Sequence, residues 1–296
     1  MQARRSRSRG RAPSPSEQPH EPVETVTTHP LALGVADAYL ALVDAVVPEF
    51  VETLYLVGSA AMGDFRPPLS DVNFVAVSLA RPGRGELAAL AEAHADLALG
   101  WPAPALDGIY LTWNDLRAGP LAVPNSPCVQ RGRLFESGCH DQHPLTWSVL
   151  RASAVTVRGP LCAGTGLWRG AAHLERWALA SANGCWGIWL GPDTADETLL
   201  AADGVERFVL GMCRLHYVLA TEVVPSKSNA GLYGLITFQP EWHRIIDEAL
   251  RVRREPEVAG LYGTLGERGR DALAVVRIVA DDARTLVVSP GGSRPG

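Results

Sequence analysis

A short polar segment between two apolar runs carries the side chains best suited to chemistry. Gly58 and Ser59 follow the apolar run Thr53–Val57, and Asp71 and Asn73 stand at the start of the next apolar run. Side chains alternate between the two faces of a strand, so Asp71 and Asn73 are expected to point the same way. Two oxygen-bearing side chains beside a Gly-Ser turn suit a divalent cation that carries nucleotide phosphates. The glycine lets the backbone approach a phosphate, and the serine supplies a hydroxyl and an N–H.

The elements that must position these residues alternate between helices and strands over residues 33–158. Apolar spacing predicts helices at 33–46, 85–99 and 146–154, strands at 53–57, 74–77 and 155–158, and a mostly loop stretch rich in Pro at 114–132. Helical patterns alone follow, at 171–190, 205–222, 241–255 and 267–287. This order predicts an α/β (α+β) domain at 29–160, then an all-α helical bundle at 161–287.

Composition limits the class of protein. The 296 residues are 47% hydrophobic and 20% charged, which is ordinary for a soluble globular chain. No apolar run reaches the ~18–20 residues that span a membrane, and the N-terminus lacks the apolar segment of a secretory signal, so we expect a cytoplasmic protein without a membrane partner. The Arg-, Ser- and Pro-rich residues 1–28 predict a disordered basic tail, and 288–296 a second disordered tail.

The charge of the chain bears on its ligand. Five arginines against three glutamates give residues 1–28 a charge of +2, and since the whole chain is −5, the remainder carries −7. An acidic folded part argues against a nucleic-acid substrate and suits a cationic small molecule.

Seven motifs together resemble a known family. They are Leu56–Ala60, Gly63–Pro67, Ser70–Val77, Leu106–Leu111, Val157–Pro160, Arg214–Tyr217 and Ser226–Ser228. They resemble the nucleotidyltransferases of the DNA polymerase β superfamily, and more closely the aminoglycoside adenylyltransferases of the streptomycin/spectinomycin 3''-type. The resemblance covers most of residues 33–285 and implies a nucleotidyltransferase domain with a small mixed sheet. One position departs from the family pattern, because Asn73 stands where the family has its second Asp.

The resemblance also implies the roles of single residues. Mg²⁺ is expected on Asp71, Asn73 and Asp107, with Asp71 and Asp107 as the catalytic carboxylates. ATP is expected on Gly58, Ser59, Ser70, Arg214 and Lys227. The alternative for Asp107 is a loop aspartate that caps a turn, and the alternative for Arg214 is a solvated arginine.

Lys227 stands out in the composition as well. It is the single lysine among 27 basic residues. An ammonium is a compact, flexible point charge that can follow a phosphate as charge shifts onto it. The alternative is a lone surface lysine that has arisen by drift. Arg251, Arg253 and Arg254 form a basic helix end that could reach the nucleotide, but arginines at the end of a helix already complement its dipole. In the related enzymes a tyrosine stands at the Arg253 position, so the resemblance implies no contact of Arg253 with ATP.

The acceptor side rests on weaker signals. Trp189, Asp203 and Glu206 are candidates for binding a cationic sugar, because aromatic faces stack on sugars and carboxylates pair with ammonium groups. Tryptophans at helical spacing are, however, more often part of a core.

We therefore expect a monomeric adenylyltransferase of the antibiotic-resistance type. It would transfer AMP from Mg·ATP to a hydroxyl of a streptomycin- or spectinomycin-like aminoglycoside and release pyrophosphate. Two alternatives stay open: a catalytically weakened or inactive homologue that binds nucleotide or antibiotic, favoured by Asn73, and a nucleotidyltransferase that acts on another small-molecule or protein hydroxyl.

Overall fold

The computed structural model describes residues 27–67, 69–138, 141–162, 165–183 and 201–288. The two tails predicted from the sequence therefore lie outside the described residues, apart from residues 27, 28 and 288. So do Trp189 and the last part of the helix predicted at 171–190.

A six-stranded mixed sheet forms the frame of the N-terminal part. Strands β2 and β3 are parallel, and every other neighbouring pair is antiparallel, in the order β5-β4-β3-β2-β1-β6. The mixed sheet expected from the sequence is therefore confirmed. The strands are β1 Thr53–Val57, β2 Val72–Ser78, β3 Leu106–Thr112, β4 Ser126–Gln130, β5 Arg133–Gly138 and β6 Val155–Arg158.

Helices cover both faces of the sheet, so the central strands are apolar on both sides. Helices α1 (Pro30–Val46) and α3 (Arg84–Gly100) pack on the face that carries Leu54 and Phe74. Helix α5 (Pro144–Ser153) packs on the opposite face, where Tyr55 and Val75 contact the buried Trp147. The short helices α2 and α4, at Gly58–Ala61 and Trp113–Ala118, directly follow β1 and β3.

The C-terminal part is a helical bundle, as predicted. Helix α7 (Ala202–Thr221) is its centre and packs against all of the other helices described there. These are α6 Ala171–Asn183, α8 Lys227–Thr237, α9 His243–Arg254 and α10 Leu265–Val288, with a 3-10 turn at Pro240–Trp242 before α9. The boundary predicted near residue 160 falls between β6 and α6. No helix in the described ranges combines the length and the apolar character needed to cross a bilayer.

One local prediction is wrong, and one helix is absent from the predictions. Residues 114–132 are not mostly loop, because they contain most of α4 and all of β4. Helix α4 begins at a capping box, in which the Thr112 hydroxyl accepts from the Asp115 N–H and the Asp115 carboxylate accepts from the Thr112 N–H. Strands β4 and β5 are joined by Arg131 and Gly132, both at positive φ (52° and 70°), as in a tight hairpin turn.

Helix α8 was not predicted, because two glycines interrupt its pattern. Tertiary packing explains them. A Cβ on Gly231 would stand 2.6 Å from Leu250 and 2.8 Å from Leu210, so only glycine allows α8 to approach α7 and α9 this closely.

Candidate active site

Three adjoining cavities lie between one edge of the sheet and the helical bundle. The central cavity, of about 180 Å³, is lined by Gly58, Ser59, Met62, Asp64, Leu69, Ser70, Asp71, Asn73, Arg214, Ser226, Lys227 and Arg253. The tryptophan cavity, of about 360 Å³, is named for Trp177. The hairpin cavity, of about 370 Å³, is named for Gln130 and Arg131 of the β4–β5 hairpin. Lys227 lines all three.

The sheet edge brings the polar residues of three strands together. The end of β1 and the starts of β2 and β3 meet there, so Asn73 pairs with Val57 on one side and with Asp107 on the other. Gly58 has φ +62°, and a Cβ on it would stand 2.9 Å from Asn73 Oδ1. A glycine is therefore required at this position, both for the backbone conformation and for the close approach of Asn73.

Two carboxylates face each other across this edge. Asp107 is buried, and its Oδ1 accepts a hydrogen bond from the Gly132 N–H of the hairpin turn at 3.0 Å. Partial burial raises the pKa of Asp71, and the nearby charge of Asp107 raises it further. A pair of carboxylates that repel each other in this way suits a divalent cation, which would neutralise both.

The third oxygen at the edge is an amide. Asn73 presents a carbonyl oxygen that can bind Mg²⁺, but it brings no charge. Among the described residues, no three His, Cys, Asp or Glu side chains are grouped to hold a metal ion. The donor set thus fits a magnesium ion that shares its coordination with the phosphates of a ligand, and it does not fit a closed all-protein metal site.

Hydrogen bonds within the segment that follows β1 hold Ser59 and Ser70 beside the central cavity. The Ser59 carbonyl accepts from the Asp64 N–H at 3.0 Å, and the Ser70 hydroxyl accepts from the Arg66 N–H at 3.0 Å. These bonds fix the two serines at the cavity wall without consuming the hydroxyl proton of Ser70.

Cations of the bundle form the opposite wall. Lys227 is the first residue of α8, where the Ser226 hydroxyl caps the helix by accepting from the Asn229 N–H at 3.2 Å. Arg214 on α7 donates from Nε to the Pro225 carbonyl at 2.9 Å. Burial lowers the pKa of Arg214 to about 10, with a further contribution from the charge of Arg253. Burial also lowers the pKa of Lys227, although Glu206 favours its charged form.

A buried ion network joins the two parts of the chain behind these cations. Arg253 is 4% exposed and donates to Asp64 Oδ2 at 2.9 Å, to the Asp64 carbonyl at 2.8 Å and to Glu206 Oε1 at 2.7 Å. Ser228 donates to both oxygens of the Asp64 carboxylate, at 2.6 Å and 3.1 Å. Burial opposes the charge on Asp64, but the bonds from Ser228 and the charge of Arg253 hold its pKa below the usual value.

The tryptophan cavity is largely apolar. Val57, Leu145, Val149 and Leu215 line it, and the Trp177 ring lies against His143 with 4.8 Å between ring centroids. A flat aromatic ring beside apolar walls is the surface on which a nucleobase or a sugar packs.

The hairpin cavity carries charges of both signs. Its acidic side chains are Asp71, Asp107, Asp203 and Glu206, and its basic ones are Arg131, Arg207 and Lys227. Asp203 and Arg207 are a helical turn apart on α7, with 3.8 Å between Asp203 Oδ2 and Arg207 Nη2.

The structure thus brings together every candidate that it describes. The residues expected to hold ATP all line the central cavity, and Asp107, Asp203 and Glu206 line the adjoining hairpin cavity. Trp189 lies outside the described residues. The carboxylate of Glu206 already accepts from Lys227, at 3.0 Å and 3.2 Å, and from Arg253.

Asp64 and Arg253 are the site residues that sequence reasoning missed. Asp64 belongs to the motif Gly63–Pro67, but the sequence does not indicate that its side chain pairs with Arg253, which lies 189 positions later. Arg253 sits among three arginines of one helix end, and only burial distinguishes it from an ordinary terminal arginine.

Comparison with known proteins agrees with this geometry. Residues 193–267 match the model of the family described as aminoglycoside adenylyltransferase, C-terminal domain. The resemblance to the aminoglycoside adenylyltransferases is confirmed. The fold is also that of a solved spectinomycin adenyltransferase, AAD(9) from Enterococcus faecialis, crystallised with ATP and spectinomycin: the TM-score is 0.61 at 10% identity, over 85% of this chain and 98% of that one.

Both matches are to nucleotidyltransferases, which is the enzyme class predicted from the sequence. A search among curated proteins gives no significant match. The adenylyltransferase match covers part of the bundle, which includes Glu206, Arg214, Lys227 and Arg253. The β1–β3 edge is related to AAD(9) through the fold.

Proposed function

We propose that this protein transfers AMP from Mg·ATP to a hydroxyl of a streptomycin- or spectinomycin-like aminoglycoside and releases pyrophosphate. One observation carries the proposal: a Gly-Ser turn, the start of β2, Arg214 and Lys227 converge on a single small cavity that adjoins two larger ones. A triphosphate needs backbone donors, a metal ion and mobile cations together, and this cavity offers the groups for all three.

Each of the three cavities would hold a different part of the two substrates. We assign the triphosphate to the central cavity and the adenosine to the tryptophan cavity, where Trp177 offers a flat apolar surface. The acceptor then falls to the hairpin cavity, which contains Asp107 and adjoins the central cavity at Asp71. Mg²⁺ on Asp71, Asn73 and Asp107 would supply charge neutralisation at the reacting phosphate.

The residues of this chain would act as follows. The acceptor hydroxyl attacks the α-phosphorus in line and its proton passes to Asp107, whose carboxylate is oriented by the Gly132 N–H. The bond from the α-phosphorus to the bridging oxygen of the β-phosphate breaks, and pyrophosphate leaves with that electron pair. Lys227 and Arg214 stabilise the charge that gathers on the leaving group.

The alternative of a binding protein is favoured by Asn73. An amide in place of a carboxylate leaves the sheet edge with two charged ligands, which weakens the hold on Mg²⁺. Such a protein would bind ATP or antibiotic without forming a product.

The decisive experiment is an acceptor panel. The protein is incubated with Mg·ATP and with streptomycin, spectinomycin or other aminoglycosides, and mass spectrometry detects the addition of one AMP while a coupled assay measures pyrophosphate. Asp107→Asn should lower turnover by roughly 10²–10⁴-fold and, because it removes a charged ligand of Mg²⁺, raise the Mg²⁺ concentration that half-saturates ATP binding. Lys227→Met should instead weaken ATP binding.

Asp281→Asn is the matched control for Asp107→Asn, because Asp281 lies on the exposed surface of α10 and pairs only with Arg284 among the described contacts. Its turnover should equal that of the parent. ATP binding without adenylylation of any acceptor would favour the binding protein, and the absence of both would refute the assignment to this family's chemistry.

A further inference from the structure

The ion network behind the central cavity ends at Lys227. Asp64, Arg253, Glu206 and Lys227 form three successive ion pairs. Asp64 comes from the loop that follows α2 in the N-terminal part, whereas Ser228, Arg253 and Glu206 come from α8, α9 and α7 of the bundle. Arg253 contacts both parts at once. It therefore joins the sheet edge to the bundle alongside Ser228, which bonds to Asp64 directly from α8.

We propose that Arg253 is a positioning residue: through Asp64 it holds the bundle against the N-terminal part, and through Glu206 it holds Lys227 at the wall of the central cavity. The use of this wall for ATP rests on the proposed function. The positioning of Lys227 does not rest on the proposed function, because it concerns the place of the Lys227 ammonium in the protein without nucleotide.

The donor geometry supports a positioning role. The guanidinium of Arg253 uses Nε and Nη2 on Asp64 and Nη1 on Glu206, so its planar fork sets the separation of the two carboxylates. Glu206 in turn holds Lys227 Nζ with both oxygens. With three donors already engaged and 4% of its surface exposed, Arg253 acts on Lys227 through Glu206 and not by direct contact.

The charges make the proposal testable. Asp64 and Glu206 are negative groups next to a cavity assigned to an anion, so electrostatics alone predicts that neutralising either one strengthens ATP binding. Loss of positioning predicts the opposite, because a bundle that is less firmly held spends less time in the binding-competent arrangement. The two explanations thus differ in the sign of the effect.

The single lysine of the chain provides a direct readout. An N-hydroxysuccinimide ester acetylates the neutral amine of Lys227 and releases N-hydroxysuccinimide. The rate, followed at the level of its peptide by mass spectrometry, reports how readily Nζ leaves its ion pair with Glu206 without any nucleotide present. Arg253→Lys is the decisive variant, since it keeps the charge and Arg253 reaches Lys227 through Glu206, whereas Asp64 also bonds to Ser228, the residue next to Lys227. We expect labelling at least threefold faster than in the parent for Asp64→Asn, Glu206→Gln and Arg253→Lys, the last because an ammonium cannot replace the fork.

Glu248→Gln is the matched control. Glu248 is a fully buried carboxylate of the same helix, α9, and is held by Arg251 at 2.9 Å and Arg268 at 3.4 Å, but it lines none of the three cavities. Its neutralisation should lower the melting temperature and leave Lys227 labelling unchanged. All variants are compared at a temperature at which circular dichroism shows each of them folded.

The second measurement is the Kd for Mg·ATP by calorimetry. Asp64→Asn and Glu206→Gln should weaken it at least fivefold, and Glu248→Gln should leave it within twofold. Parental labelling in folded Arg253→Lys would overturn the positioning role, and unchanged or tighter ATP binding in Asp64→Asn and Glu206→Gln would overturn its effect on the cavity wall. A parent that binds no ATP refutes the proposed function, while the labelling rates still decide the positioning role.

Discussion

Replacing His94 by glutamine should remove much of the acid sensitivity of the N-terminal part. His94 is 1% exposed, packs against the rings of both Tyr39 and Phe74, and shares a hydrogen bond of 2.8 Å from Nε2 to the Tyr110 hydroxyl. Its Nδ1 is buried without a hydrogen-bond partner. A second proton on this imidazole would therefore be buried without solvation, and burial lowers the pKa of His94 from 6.5 to about 3.

The sign and size of the effect follow from this shift. The folded-state pKa lies below the unfolded one, so the stability contributed by neutral His94 is fully present above pH 6.5 and is lost as the pH falls from 6.5 toward 3. As the pH falls from 8 to 5, the His94 imidazole of the unfolded chain becomes protonated, whereas that of the folded protein stays neutral. Linkage gives a loss of about 2 kcal/mol over this interval from His94 alone.

The assay is urea unfolding at pH 8, 7, 6 and 5, followed by tryptophan fluorescence. The parent should lose about 2 kcal/mol more than His94→Gln between pH 8 and pH 5. Tyr110→Phe is the control: it removes the hydrogen-bond partner but keeps the buried histidine, so it should be less stable at every pH and retain the parental pH slope. An identical pH slope in the parent and in His94→Gln would refute the reasoning.

Two further predictions concern the sheet edge. Asn73→Asp should lower the Mg²⁺ concentration that half-saturates ATP binding and raise turnover, because it adds a third charged oxygen beside Asp71 and Asp107; an unchanged Mg²⁺ titration would mean that position 73 does not face the metal. Gly58→Ala should reduce turnover at least tenfold and cost about 1 kcal/mol of stability, since the new methyl group would stand 2.9 Å from Asn73 Oδ1 at a backbone φ of +62°. Kinetics and thermal unfolding of the same preparation check the second prediction, and parental turnover would show that the Gly58 backbone does not approach the reacting groups.

Local pattern was sufficient for much of this fold. The strands at Thr53–Val57 and Val155–Arg158 have the bounds predicted for them, and the helix predicted at 85–99 differs from the observed Arg84–Gly100 by one residue at each end. The central cavity was also accessible to sequence reasoning, because its polar groups stand at the ends of predicted elements, where side chains of neighbouring strands meet.

What sequence reasoning missed depends on contacts between distant parts of the chain. Arg253 acquires its partners from residues 64 and 206, and no periodicity in α9 marks it apart from Arg251 and Arg254. The glycines of α8 look like helix breakers until Leu210 and Leu250 are seen packed against them. The hairpin of β4 and β5 is hidden for a similar reason, since the prolines before it indicate a loop while the turn at Arg131 and Gly132 depends on two positive φ angles.

The residues that form the walls of the hairpin cavity determine how the acceptor specificity of this protein can evolve. The groups that we assign to the triphosphate come from the strand ends, from α8 and from Arg214 farther along α7. The far wall of the hairpin cavity comes from Gln130 and Arg131 at the β4–β5 turn and from Asp203 and Arg207 in the first turns of α7. Substitutions on that turn and helix end alter what fits beside Asp107 while leaving the nucleotide side intact. A change of acceptor during evolution would therefore need substitutions only in one hairpin turn and one helix end. Such substitutions need not reduce ATP binding.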